Sequence, residues 1–356
     1  MTILSILAAI LLLGILVTIH EFGHFIAARL TGILVQQFSV GFGPKLVGWK
    51  SKKYETEFMI RGIPLGGYCM FYGEDDAQGK HVDDPRAYNR QSVWKRMFSV
   101  LMGPLMNFVL AFVVAVFFFL LGGVYEAVSV VENVEPSSPA AQAGLMPGDV
   151  LYNVQGQETE QSAGDALIAA ASAYREGDEP LQIQVDRKGD IQTLLIKPFF
   201  DQVENRYRIG VSISLTAGDK TVPVSFPDAV RYGYKNCVSA GTIILGGLKN
   251  LVFKGEGLEN SAGPVGIVQV ISQQTREFGL RGFFNLLIVF SINLGLINLL
   301  PIPGLDGSRF LFMLVEAVRR KPINQRAEAM VHFAGYVLLL GIMIFFTYQD
   351  VLRLLQ

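Results

Sequence analysis

Four stretches of this chain are uncharged over lengths that suit a lipid bilayer, and nothing else in the sequence restricts the fold as strongly. Residues 1 to 19 carry no charged side chain, and apolar character resumes at Phe25 to Leu30. Further uncharged runs cover Met97 to Tyr125, Gly282 to Leu305 and, more briefly, Phe333 to Gln349. A span needs about 20 apolar residues to cross the hydrocarbon layer. We therefore expect about four transmembrane helices. A cleaved signal peptide fits the first run poorly, because no Lys or Arg precedes it and a His-Glu cluster lies inside it. Asn236 to Leu248 is short for a crossing and is flanked by Lys235 and Lys249. It suggests an interfacial or re-entrant helix over about 228–253.

Composition agrees: 51% of residues are hydrophobic and 17% charged, with a mean hydropathy of +0.37, too apolar for an ordinary water-soluble chain. With 30 basic and 31 acidic residues and no long basic block, a nucleic-acid footprint is absent. Cys69 and Cys237, the two cysteines, sit far apart, which argues against a disulfide framework. Basic residues such as Lys45, Lys52, Arg61, Arg90 and Arg96 fall between the first two runs, and Arg319, Arg320, Lys321 and Arg326 between the last two. Positive-inside bias places both connections in the cytoplasm, leaving the N-terminus, the segment after Tyr125 and the C-terminus outside.

The expected division is a first membrane part over 1–125, a separate domain over 126–222 and a second membrane part over 223–356. The middle domain has alternating stretches at Leu181 to Val185 and Thr193 to Ile196, which suggest short strands. Its Ser138 to Leu151 run, containing Ala143-Gly144-Leu145 and Gly148-Asp149, resembles the helix-turn-strand signature of bacterial PDZ domains. Between the first two membrane runs, residues 34–75 hold strand-like patches, Gly41-Phe42-Gly43-Pro44 and a hairpin-like piece at Ile63-Pro64-Leu65-Gly66-Gly67-Tyr68. Open sheet edges cannot face lipid, so such an element must pack on helices or line a cavity; a peripheral cytoplasmic sheet is the alternative.

The chemistry lies in the first run. His20-Glu21-Phe22-Gly23-His24 is an HExxH motif, and on a helix imidazoles four residues apart share a face and converge on one metal ion. Neutral imidazoles suit zinc, and the adjacent Glu21 carboxylate is placed to deprotonate a metal-acidified water as general base. Such polar groups are costly inside an apolar span and mark function there. The extended zincin motif would continue with Gly at 27 and His at 30, where this chain has Ala27 and Leu30. The third ligand must come from elsewhere.

Asp306 is the first charge after 24 uncharged residues, in Asn298-Leu299-Leu300-Pro301-Ile302-Pro303-Gly304-Leu305-Asp306-Gly307. His20 lies roughly 27 Å along the first helix at 1.5 Å per residue. The third span runs the same way, so Asp306 reaches the same depth. The prolines break the helix just before it, which is tolerated where backbone lines a cavity. His20, His24, Asp306 and a water would complete a tetrahedral site. His81 and His332 are the rival ligands.

Taken in order, His20 to His24, Gly41 to Pro44, Ile63 to Tyr68, Gly103-Pro104-Leu105-Met106-Asn107, the PDZ-like run, Gly263-Pro264-Val265-Gly266 and Asn298 to Gly307 resemble the bacterial site-2 proteases of the RseP and RasP type. These are intramembrane zinc metalloproteases of the M50 family, and the likeness covers nearly the whole chain in its single-PDZ form. The resemblance implies a mainly α-helical polytopic protein of the bacterial inner membrane, with a membrane-associated β hairpin or sheet and one extracytoplasmic PDZ-like α+β domain. It implies a zinc-dependent metalloendopeptidase with Zn2+ on His20, His24 and Asp306, and Glu21 as base. Asn293 and Asn298 would hold unwound substrate, and Ile63, Pro64, Leu65, Gly66 and Gly67 would pair with it as an added strand. Substrates would be single-span proteins such as anti-sigma factors, and remnant signal peptides, with the PDZ region as size filter or docking site. The chain is shorter than members with tandem PDZ domains, so a two-domain filter does not carry over. Ser308-Arg309 stands where other members have Gly-His, so a role for that His does not carry over either. A non-catalytic scaffold with a PDZ peptide-binding module and a structural metal is the competing class; a transporter lacks paired repeats of broken spans.

Overall fold

The uncharged runs fold as helices because a helix satisfies its own backbone polar groups, which lipid cannot. The computed structural model describes residues 3–74, 84–155, 163–255, 263–321 and 323–355. The chain divides into two units, Met1–Gly122 with Ser225–Gln356, and Gly123–Val224.

In the first unit α1 (Ile3–Thr31) and α2 (Val93–Gly122) pass closely. A β-carbon at Gly23 would run into the Met102 carbonyl. Small residues at such crossings let backbones approach, the usual device of membrane helices. Among the described residues four helices, including α6 (Pro264–Leu299) and α8 (Gln325–Leu355), are long and apolar enough to cross a membrane. Ala9, Leu12 and Leu16 of α1 pack with Phe283, Leu286 and Leu287 of α6, while Ala111 and Ala115 of α2 meet Ile288 and Ile292. Leu11, Val113, Phe117 and Phe345 face outward.

The third run ends its helix before the prolines: α6 stops at Leu299, where Leu300 turns extended ahead of Pro301 and Pro303. Two boundaries differ from expectation. The same helix starts earlier, at Pro264, and is broken by Gly279 (φ 58°, ψ −137°). A β-carbon at Gly282 would strike the Gln274 carbonyl, so the segments on either side of the break fold against each other. α8 is longer than its uncharged centre and includes Asp350, whose carboxylate is buried against Gly263 and Gly266. The segment expected at the interface forms α5 (Phe226–Lys254), with Ser225 as N-cap and Gly255 (φ 69°) as C-cap. It packs through Cys237, Ala240 and Ile244. Both cysteines are free thiols.

β1 (Val35–Lys50) and β2 (Glu57–Phe71) form an antiparallel pair. Both bend, so that Gln37 pairs with Glu57 on one side and Met70 on the other. The chain turns back within β2, where Ile60 and Gly67 flank Val40 on opposite sides, so the hairpin-like piece Ile63 to Tyr68 holds one reversal; another lies at 51–56. Phe25 ties the sheet to α1, its ring centroid 5.6–5.9 Å from those of Phe38, Tyr54 and Phe58. α7 (Asp306–Arg319) is joined to α2 by a two-pronged ion pair from Arg96 to Glu316, at 2.5 and 3.2 Å.

In the second unit five strands, β3 (Val124–Val134), β4 (Val150–Val154), β5 (Leu181–Arg187), β6 (Asp190–Ile196) and β9 (Val211–Val222), make an antiparallel sheet in the order β6-β5-β4-β3-β9. β7 (Phe199–Asp201) pairs with β8 (Arg206–Arg208). Val131, Leu151, Ile183, Val185 and Ile196 form the core with Leu167 of α4 (Ala163–Ala173). Ser138 caps the one-turn α3 (Pro139–Gln142). Asp149 closes the turn that follows, accepting from Met146 N (2.9 Å) and from Arg187 Nε and Nη2 (2.7 and 2.6 Å).

Candidate metal centre and catalytic cavity

Because α1 is continuous through His20 and His24, their rings lie on one face, with Nε2 atoms 3.3 Å apart. The turn after α6 delivers Asp306, the first residue of α7, to the same point: its Oδ2 is 3.0 Å from His20 Nε2 and 3.4 Å from His24 Nε2. Among the described residues these three form the group able to hold a metal ion. Bonds of about 2.0–2.1 Å from a tetrahedral zinc imply ligand–ligand edges of about 3.3 Å. The observed triangle has that size, so the donor set fits the ion.

Each imidazole is fixed from behind by α2. His24 Nδ1 donates to the Ser99 carbonyl at 2.9 Å, which leaves Nε2 bare for a cation. The Asn107 side-chain amide sits 3.1 Å from His20 Nδ1 and is fully buried. With Nε2 reserved for a metal, His20 carries its proton on Nδ1. The Asn107 amide oxygen, which exchanges places with the nitrogen by a half-turn, is then the acceptor. Ser291 Oγ in turn donates to the Asn107 backbone carbonyl at 2.8 Å. Gly103 faces His24, and any β-carbon there would occupy the ring's place.

The triangle opens into a cavity of about 540 Å³. Glu21 lines it, half-buried, and its carboxylate accepts the Cys69 backbone N–H. In a ladder whose residues alternate in direction, that bond turns the Cys69 amide away from β1, so the Gly67–Phe71 edge of β2 faces the cavity. Gly67 lies against Glu21: a β-carbon there would sit 3.4 Å from Glu21 Cγ.

The chain matches the model of peptidase family M50 over residues 8–342. It belongs to that family. Relatives cover nearly all of it. It is 32% identical to the regulator of sigma-W protease RasP of Bacillus subtilis, over 98% of this chain and 99% of that one. It is 31% identical to the zinc metalloprotease RasP of Oceanobacillus iheyensis, again over 98% and 99%.

Not every residue singled out in this M50 peptidase comes to the cavity. Asn298 lines it, as do Gly66 and Gly67. Asn293, on the same helix, is half-buried and absent from the lining, and Ile63 is exposed. Pro64 and Leu65 lie within β2. Of the rival ligands, His81 falls outside the described residues, and His332 stands apart from the metal group, accepting the Gly304 N–H on Nδ1. Sequence reasoning assigned no role to Ser99, Gly103 or Asn107. A polar Asn one turn after Gly in an uncharged span was the available signal.

Proposed function

We propose that this M50 peptidase is a zinc-dependent intramembrane protease that cuts transmembrane segments of single-span proteins, with His20, His24 and Asp306 as ligands and Glu21 as general base. The observation that carries the reading is the 3.0–3.4 Å donor triangle built on a membrane-length helix, with the Glu21 carboxylate in the same cavity. The relatives' names specify zinc, and bound zinc supplies Lewis acidity toward a carbonyl and toward water.

The chain's own groups do the rest. Glu21 takes a proton from the attacking water and returns it to the departing amide nitrogen. Ser99 and Asn107 keep the two imidazoles in the tautomer that leaves Nε2 free. The edge of β2 at Gly67–Phe71 offers backbone groups to a substrate strand, continuing from Ile63, Pro64, Leu65 and Gly66, and holds substrate extended as proteolysis requires. Asn298 supplies an amide to unwound backbone inside the cavity, with Asn293 further along α6.

The remaining assignments follow the resemblance. Residues 126–222 are read as a PDZ domain, supported by the antiparallel sheet with two short helices and the Asp149-closed turn. The protein is placed in a bacterial inner membrane with its N-terminus, that domain and its C-terminus outside, in accord with the basic connections. Anti-sigma factors and remnant signal peptides are the substrate classes.

Purified protein is incubated with a library of single-span segments, with and without chelator, and products are read by mass spectrometry. Glu21→Gln should keep its metal while cleavage falls by about 10²- to 10⁴-fold. Undiminished cleavage in that variant, or in chelator, refutes the reading.

A further inference from the structure

Helix α8 gives no atom to the metal group, yet it grips the loop from which Asp306 projects. That loop runs from Leu300 to Leu305, and its Pro301 and Pro303 have no N–H. Three of the remaining donors are satisfied close by: Leu300 N donates to Ile297 O (3.0 Å), Ile302 N to Leu300 O (2.8 Å) and Leu305 N to Ile302 O (3.0 Å). Gly304 differs. Its N–H leaves the loop and donates to His332 Nδ1 at 3.2 Å. Gly304 is half-buried, and this bond to an immobile ring fixes where the loop can sit.

The next turn of α8 presses on the same spot. A β-carbon at Gly335 would collide with the Pro303 carbonyl, so helix and loop are in backbone contact. Gly304 has φ +98°, and a β-carbon on it would lie 3.3 Å from both Tyr336 and Leu339. The imidazole itself is held: His332 is 8% exposed, and Phe312 of α7 stands against it with ring centroids 5.6 Å apart. A backbone N–H can donate only to a lone pair, so Nδ1 is bare and the ring proton is on Nε2. Nε2 faces away from the loop and is 3.9 Å from Glu328 Oε1, beyond hydrogen-bond reach.

We infer that His332 is a positioning residue of this peptidase: its Nδ1 anchors Gly304 and so sets the depth and direction at which Asp306 meets His20 and His24. The inference rests on the proposed reading of Asp306 as a ligand. Only Leu305 separates anchor from ligand, and a rotation at glycine, unrestrained by a side chain, would swing the carboxylate out of a triangle whose sides are 3.0–3.4 Å. Residues that orient ligands from outside the coordination sphere typically govern 10- to 100-fold in metal affinity or activity, and this bond is placed to act in that way.

The two imidazole nitrogens can be told apart with the full-length protein. Asn at 332 places its Oδ1 near the Nδ1 position, whereas Gln places its Oε1 near Nε2. Zinc affinity is measured by chelator competition, and kcat and KM on a single-span reporter. His332→Ala should weaken zinc binding and lower kcat by about 10- to 100-fold with little change in KM; His332→Asn should recover most of both, and His332→Gln should not. Rescue by Gln rather than Asn, or no rescue by Asn, overturns the inference, as does a His332→Ala protein with wild-type affinity and kcat. Asp306→Ala is the control: if it loses zinc while His332→Ala does not, the anchor alone is refuted, and if Asp306→Ala binds zinc as the wild type does, the ligand reading beneath it is refuted.

Discussion

Gly103 on α2 lies so close to the His24 imidazole that no β-carbon fits between them. The other side of that ring is held by its bond to the Ser99 carbonyl, so it cannot retreat without losing its orientation. Gly103→Ala should therefore displace Nε2 rather than merely crowd it. A shift of about 1 Å at a reacting centre can cost about 10² in rate. We expect kcat/KM on a single-span reporter to fall by about that factor, with weaker zinc retention, while the far-UV circular dichroism stays that of the parent. Parental activity in Gly103→Ala would show that the ring has room.

Asn107 tests the other imidazole. Its side chain is buried at His20 Nδ1, and its backbone carbonyl is separately bound by Ser291. Asn107→Ala removes the first contact and leaves the second. Zinc affinity should fall by about 10- to 100-fold in chelator competition. An unchanged affinity would mean that the Asn107 amide packs α1 on α2 without fixing the tautomer.

These two residues mark where the sequence stopped being legible. His20, Glu21 and His24 could be found because helical periodicity is local: four residues suffice to place two rings on one face. Asp306 could be found because a lone carboxylate after a long uncharged run is costly and must be used, and the prolines before it mark the end of the helix. What Gly103 and Asn107 do depends instead on which turn of α2 crosses which turn of α1, a relation that no local pattern encodes. The break at Gly279 was equally hidden, since a glycine between Glu277 and Arg281 reads as a helical residue or as a turn alike. Gly66-Gly67 does mark the bend within β2, where a β-carbon would strike the Phe42 ring at Gly66 and the Ser39 carbonyl at Gly67, but that the two halves of β2 flank Gln37 to Val40 depends on pairing across β1 that no local pattern encodes.

The second unit should respond to acid through Asp149. Burial alone would raise its carboxyl, but the Arg187 hydrogen bonds, the Met146 N–H and the Arg187 charge together hold it below the ordinary carboxylate range. A folded value below the unfolded one means that the carboxylate stabilises the unit above the unfolded pKa of about 3.9, and that this contribution fades as pH falls through the folded value. The melting temperature of residues 123–224, followed within the whole protein, should drop between about pH 5 and pH 3. Asp149→Asn should cost about 3 kcal/mol at neutral pH, because Arg187 loses its partner, and should shallow the acid slope. Part of the slope should persist, since the Val203 and Glu204 N–H groups and Arg208 hold Asp201 low as well. A slope identical to the parent's would remove Asp149 as its source.

Asp350 presents a case of long-range capping. The N-terminus of α6 begins at Gly263, which has no side chain to cap it, and the Asp350 carboxylate reaches across from α8: Oδ1 takes the Gly263 N–H at 3.2 Å and Oδ2 the Gly266 N–H at 2.7 Å. Negative charge at a helix start is favourable, and the orphan donors there need acceptors. Asp350→Leu leaves both unpaired and should destabilise the membrane unit by about 3 kcal/mol. Asp350→Asn, which keeps an acceptor oxygen, should cost about 1 kcal/mol. The approach is tight enough that a β-carbon at Gly263 would lie 2.7 Å from Asp350 Oδ2, so Gly263→Ala should break the same contact from the other side. The double variant Gly263→Ala/Asp350→Leu should then be less destabilised than the sum of the singles, as residues sharing one interaction are. Thermal unfolding in detergent, compared across the four proteins, decides it: strict additivity would mean that the carboxylate and the helix start do not act on each other.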